Sequence, residues 1–115
     1  MNLRVNATND GHFVLRVLSQ TTWGDERLEF TFELGWASGK IELVCSKERL
    51  MHLQASLDKH REGDEVNHCF INEDGNLEIN VKSLSTGLAR FHVIAIPKMT
   101  NDDRIEFSFD GTVGT

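Results

Sequence analysis

The chain has two cysteines, Cys45 and Cys69, one proline, Pro97, and 12 lysines and arginines against 18 aspartates and glutamates in 115 residues. Two cysteines are too few for a disulfide framework, and neither belongs to a C-x-x-C pair, so both are expected as reduced and largely buried apolar thiols. No apolar run approaches the roughly 18 residues that a membrane-spanning helix needs. The opening Met1-Asn2-Leu3-Arg4 lacks the charged-then-apolar pattern of a secretion signal, which gives a cytoplasmic location as the expectation. A formal charge of -6 argues against nucleic-acid binding, because neutralising a phosphate backbone takes clustered lysines and arginines. A basic partner suits such a surface better.

Catalytic signatures are also missing. There is no G-x-S-x-G elbow and no glycine-rich phosphate loop. The carboxylate pairs Asp25-Glu26, Glu73-Asp74 and Asp102-Asp103 fall at turns, where they read as soluble turn formers. Of the five histidines, His52 and His60 are eight residues apart on a helix, too far along its axis to share an ion. His68 and Cys69 are adjacent on a strand and so point to opposite faces. A site joining His68 and His92 across paired strands is the one arrangement the pattern leaves open. No catalytic set, metal or cofactor is expected, and the chain reads as a non-enzymatic binding protein.

What is present is a fold pattern. A hydrophobic content of 39% and a charged content of 26% belong to an ordinary globular chain, and 115 residues make one domain. Leu3 to Ala7 and His12 to Leu18 flank Asp10-Gly11 as a hairpin. Ser19 to Glu26 is too polar and irregular for either period and reads as a loop. Arg27 to Leu34 alternates without a break: Leu28, Phe30, Phe32 and Leu34 on one face, Arg27, Glu29, Thr31 and Glu33 on the other. Gly35 to Gly39 turns the chain, and Lys40 to Cys45 continues the alternation through Ile41, Leu43 and Cys45.

Residues 46 to 62 carry helical spacing, with Leu50, Leu53 and Leu57 on one narrow stripe, Ser46 as N-cap and Gly63 as terminator. Val66 to Glu73 and Asn76 to Leu84 flank Asp74-Gly75, the composition of a two-residue type I′ turn. Leu88 to Ile96 is apolar on both faces, as a central strand would be, and Pro97 marks where its pairing stops. Thr100 to Asp103 reads as a turn, Arg104 to Asp110 as a last strand, and Gly111 to Thr115 as a frayed tail. The sum is an α+β domain: about eight strands in a curved, mainly antiparallel sheet packed on one central helix, with a small sandwich carrying the helix at one end as the competing arrangement.

The two tryptophans, Trp23 and Trp36, lie in loops bordering the best strand. Each ring either folds back as a lid on the core or is presented as a binding anchor, the role in which tryptophan is enriched. Beside them the strand shows Asp25, Glu26, Glu29 and Glu33, joined by Glu42 on the next strand. Trp23, Asp25, Glu26, Glu29, Glu33, Trp36 and Glu42 are therefore the candidate partner-binding residues.

The order of elements also carries a resemblance. Four strands, Leu50-x-x-Leu53-x-x-x-Leu57, the segment Cys69-Phe70-Ile71-Asn72-Glu73-Asp74-Gly75-Asn76-Leu77-Glu78-Ile79, the Gly87 turn and the closing Arg104-Ile105-Glu106-Phe107-Ser108-Phe109-Asp110 resemble the WapI-type immunity proteins of bacterial polymorphic toxin systems. The family's closing strand usually continues into Asp-Gln and a large apolar residue, where this chain has Gly111-Thr112-Val113. The resemblance implies a cytoplasmic protein that neutralises a toxin domain by direct contact and has no chemistry of its own. It assigns no binding residue. A small-ligand role, in a pocket between helix and sheet, and a structural or assembly role are the alternatives.

Overall fold

Eight strands and one helix form in the computed structural model, which describes residues 2–22, 24–85, 87–97 and 104–114. In chain order they are β1 (Asn2–Ala7), β2 (His12–Gln20), β3 (Glu26–Glu33), β4 (Ser38–Cys45), α1 (Lys47–Arg61), β5 (Asn67–Ile71), β6 (Leu77–Ser85), β7 (Leu88–Ala95) and β8 (Ile105–Val113). All the strands join one antiparallel sheet of order β4-β3-β2-β1-β8-β7-β6-β5. Each strand pairs with its neighbours in sequence except β4 with β5, and β8 returns to β1. The ring is left open between β4 and β5, where α1 is inserted.

Aromatic packing shows how far this sheet curls. Phe13 on β2 and Phe91 on β7 are three strand positions apart, as are Phe32 on β3 and Phe107 on β8, a span of about 14 Å in a flat sheet. Their ring centroids are 5.8 and 5.4 Å apart. The concave side is therefore the core. It takes the inward residues of every strand, among them Leu15, Leu28, Phe30, Phe70, Ile79 and Val93, together with Leu50, Leu53 and Leu57 of α1. This is the curved sheet on a central helix that the alternation predicts.

The helix forms where its sequence signals put it. Ser46 caps it, its hydroxyl accepting from the Arg49 N–H at 3.3 Å, and Gly63 ends it with a φ of +97°. His60 extends the leucine stripe by one turn and is 2% exposed, with Nδ1 2.8 Å from the Ser83 hydroxyl. The helix lies along β5 in the opposite direction, through contacts of Arg49 with the Ile71 carbonyl and of Ser56 with His68.

Four local expectations give way to longer-range pairing. Gly111 to Val113, expected as a frayed tail, is strand: Ala7, Asn6 and Val5 face Gly111, Thr112 and Val113, and this ladder joins the two halves of the sheet. The loop after β2 is only Thr21 to Asp25, because Ser19 pairs with Arg27 and Gln20 with Glu26 across a bulge that leaves Leu18 unopposed. The Asp74-Gly75 turn is not type I′, since among the described residues only glycines have positive φ. The Asn72 side chain closes that hairpin instead, accepting from Leu77 N–H at 3.0 Å and donating to the Val44 carbonyl at 3.1 Å. Finally, Cys45 is buried as expected but Cys69, on the edge strand β5, is exposed. The Thr100 to Asp103 turn lies outside the described residues.

The two thiols should separate in reactivity. Burial, reinforced by the Glu73 carboxylate, pushes Cys45 up to about 12, so it stays protonated and inert. Titration of the native protein with a thiol reagent at mildly alkaline pH is expected to release one equivalent, from Cys69, and the second only after denaturation. Two equivalents from the native protein would contradict the buried position of Cys45.

Candidate binding surface

Side chains that leave the core face point to the convex side, and β3 and β4 place Glu29 directly opposite Glu42 there. The pair is not a bare acidic patch. Glu29 holds Arg16 at 3.0 Å and Lys40 at 3.5 Å, and Glu42 holds Arg27 at 3.5 Å. Such exposed ion pairs add little stability, but they cancel most of the local negative field. The acidic row expected along this strand is thus a mixed-charge lattice at its centre. Its unneutralised carboxylates sit at the ends: among the described residues, Asp25 and Glu26 at one end of β3 and Glu33 at the other have no cation within ion-pair distance.

Trp36 lies at the Glu33 end. The Leu34 to Ala37 turn, closed by Leu34 N–H donating to the Ala37 carbonyl at 2.9 Å, holds it away from the sheet, and it is 75% exposed. The lid arrangement is therefore excluded for Trp36. Trp23 lies outside the described residues. A shallow groove beside the turn, about 280 Å³, is lined by Asp10, Gly11, His12, Glu33 and Gly35. Candidate residues thus cluster at the two ends of β3 and do not converge on one point.

A groove of about 530 Å³ lies between α1 and β5 and includes Arg49, His52, His68 and Glu73 in its walls. Glu73 is more than a turn former. Its carboxylate accepts from the Ser46 N–H at 3.0 Å and meets Arg49 Nε at 3.3 Å, so it occupies the positive end of the helix. Arg49 also donates to the Ile71 carbonyl at 2.7 Å, which caps part of the open edge of β5. A second, more apolar groove of about 290 Å³ on the other flank of α1 is lined by Val17, Glu26, Lys47, Leu50, Met51 and Gln54.

The histidines take separate roles. His68 pairs with Val81 of the core face, whereas His92 points outward between buried Phe91 and Val93 and bonds Glu106 at 2.7 Å. They lie on opposite faces, which removes the His68 and His92 site. Among the described residues, no three histidines, cysteines or carboxylates gather as metal ligands would, and no helix is long and apolar enough to cross a membrane.

A pH dependence follows from these positions. Burial, and secondarily the neighbouring His52, holds the His68 imidazole below its ordinary 6.5. The unfolded chain then binds a proton at higher pH than the folded one, so this stability is complete above pH 6.5 and is lost as pH falls below it. For Glu73, burial acts upward but the hydrogen bonds from Ser46 and the charge of Arg49 outweigh it, leaving the carboxyl below 4.5. A second loss is expected as pH falls through 4.5. Urea unfolding across this range should show the first loss in the wild type and not in His68→Gln; identical profiles would contradict the assignment.

Comparison of the chain with protein-family models, with curated proteins and with solved structures returned no match.

Proposed function

We propose that this chain is a non-enzymatic binding protein of the immunity type, which neutralises a basic toxin domain by direct contact in the cytoplasm. The observation that carries the reading is Trp36: a large indole 75% exposed at the rim of a well-packed sheet, near Glu33, which has no cation within ion-pair distance among the described residues. Exposed tryptophan has no role in this core, and it is the side chain most enriched among residues that dominate binding energy. The resemblance of the element order to WapI-type immunity proteins supports the same reading. An inhibitor of this kind needs a complementary surface, and its inner face can be wholly given to packing.

The proposal requires a large toxin gene immediately upstream, and the test is a pull-down with the C-terminal domain of that toxin. Submicromolar binding is expected for the wild type, and Trp36→Ala should weaken it by about 30-fold, the size of a hot-spot loss near 2 kcal/mol. No binding at micromolar concentration would remove the proposal. The alternative of a small-ligand protein draws on the α1–β5 groove with its facing imidazoles. It predicts that His52→Ala would impair function while Trp36→Ala would not.

A further inference from the structure

The sheet ends in two edges, β4 and β5, and they differ. On β5, the Val66 carbonyl accepts from Ser83 N–H at 2.9 Å and Asn72 N–H donates to the Leu77 carbonyl at 3.3 Å. In an antiparallel pair, residues bonded to the neighbouring strand alternate with residues whose backbone groups turn the other way. Val66, His68, Phe70 and Asn72 therefore serve β6, while Asn67, Cys69 and Ile71 turn their N–H and C=O groups to the open side. The Ile71 carbonyl agrees, since it accepts from the Arg49 side chain at 2.7 Å. Among the described residues no other side chain caps this edge.

On β4 the same alternation turns Lys40, Glu42 and Val44 outward: Leu34 N–H donates to the Ala37 carbonyl on the paired side, and the Val44 carbonyl accepts from Asn72 at 3.1 Å. Charged side chains on an edge are a common device against unwanted pairing. β5 lacks that device. From Asn67 to Ile71 it has no carboxylate, lysine or arginine, and it shows exposed Cys69 and Ile71 on its convex side. The space beside it is open as well, because Cys69, Phe70 and Ile71 form one wall of the 530 Å³ groove and α1 the other.

We propose that the β5 edge takes an extended, uncharged segment of another protein as an added strand. Its outward groups recur at every second residue, about 6.8 Å apart, a repeat that an extended polypeptide matches and a small molecule does not. A second copy of this chain fits the edge poorly. The antiparallel register that uses all three outward residues centres on Cys69, and it sets Glu65 against Glu73, and Asp64 against Asp74, of the other copy. Like charges directly opposite one another are destabilising. Beside Cys69 and Ile71 the added strand carries apolar side chains, and its alternate side chains enter the groove. This surface is separate from Trp36, and the assignment does not rest on the proposed function.

Amide exchange followed by NMR tests the edge in the free protein: the Asn67 and Cys69 amides should exchange fast and those of His68 and Phe70 slowly. Protection of the Cys69 amide in dilute protein, or protection that grows with protein concentration as a second copy would give, overturns the proposal. The occupant is tested with a phage-displayed library of random nonapeptides selected on wild type. Clones are expected that bind Cys69→Ser equally and lose about tenfold or more on Cys69→Pro, the size of one lost hydrogen bond. Proline there removes an N–H that β6 does not use, a position where edge strands tolerate it, and a thermal melt checks folding. A synthetic copy of the best clone should slow exchange of the Asn67 and Cys69 amides, and its counterpart N-methylated at the five central amides, with the same side chains, should not bind wild type. The absence of enriched clones, a set that all bind folded Cys69→Pro as tightly as wild type, or an N-methylated peptide that binds equally would each overturn the added strand.

Discussion

Leu53→Asp is expected to leave no folded protein at neutral pH. Leu53 is fully buried, on the stripe with Leu50 and Leu57 by which α1 meets the concave sheet. Truncating a buried leucine costs about 2–5 kcal/mol, and an unpaired carboxylate in the same place adds several more. A domain of this size is stable by about 5–15 kcal/mol, so most or all of it is consumed. Near-ultraviolet circular dichroism and a thermal melt provide the measurement, with Glu33→Ala as the companion. That exposed variant should melt within a few degrees of wild type. Equal melts for the two variants would refute the core assignment.

Gly111→Val is expected to cost about 3 kcal/mol or more by opening the seam between β1 and β8. A Cβ at Gly111 would run into the backbone of Asn6 and Ala7, atoms that cannot move aside as a side chain end can. Among the described residues Val5, Asn6 and Ala7 of β1 pair with β8, and the Thr8 N–H to the Asp110 carbonyl at 2.9 Å and the Gly114 N–H to the Arg4 carbonyl at 2.7 Å extend the seam at either end, so the two halves of the sheet share a short ladder with Gly111 inside it. Thr112→Val, exposed on the same strand, serves as the control and should lie within about 0.5 kcal/mol of wild type. Urea unfolding that finds Gly111→Val within about 1 kcal/mol of wild type would show that this seam does not hold the halves together.

These two positions also show what was legible in the sequence. Leu53 was visible because helical periodicity is local: three leucines at fixed spacing, a serine cap and a glycine stop lie within eighteen residues. The strands were visible for the same reason, since Leu28, Phe30 and Phe32 declare a face without reference to their partners. Gly111 was not. Its segment, Gly-Thr-Val-Gly-Thr, shows no alternation, and its pairing comes from β1, more than a hundred residues away in the chain. Asn72 falls inside the strand Val66 to Glu73 that the sequence predicts, whereas β5 ends at Ile71, for a similar reason: the Val44 carbonyl that it serves belongs to the opposite edge of the sheet.

The binding surface divides along the same line. That Glu29 and Glu42 face outward could be read from alternation, but their neutralisation by Arg16, Lys40 and Arg27 depends on register across three strands. Of the seven candidate residues, the end carboxylates Asp25, Glu26 and Glu33 keep a charge with no cation within ion-pair distance among the described residues. Trp36 was singled out by its loop position, while its exposure depended on how the turn leaves the sheet.

The most direct test of the account is calorimetric titration of the purified protein with the C-terminal domain of the large toxin that the immunity proposal requires to be encoded beside its gene, using wild type and Trp36→Ala of equal thermal stability. Saturable binding by wild type, weakened about 30-fold in Trp36→Ala, is the predicted result. Absence of binding by wild type, or equal affinity for the two proteins, would contradict a function carried on the outer rim of the sheet.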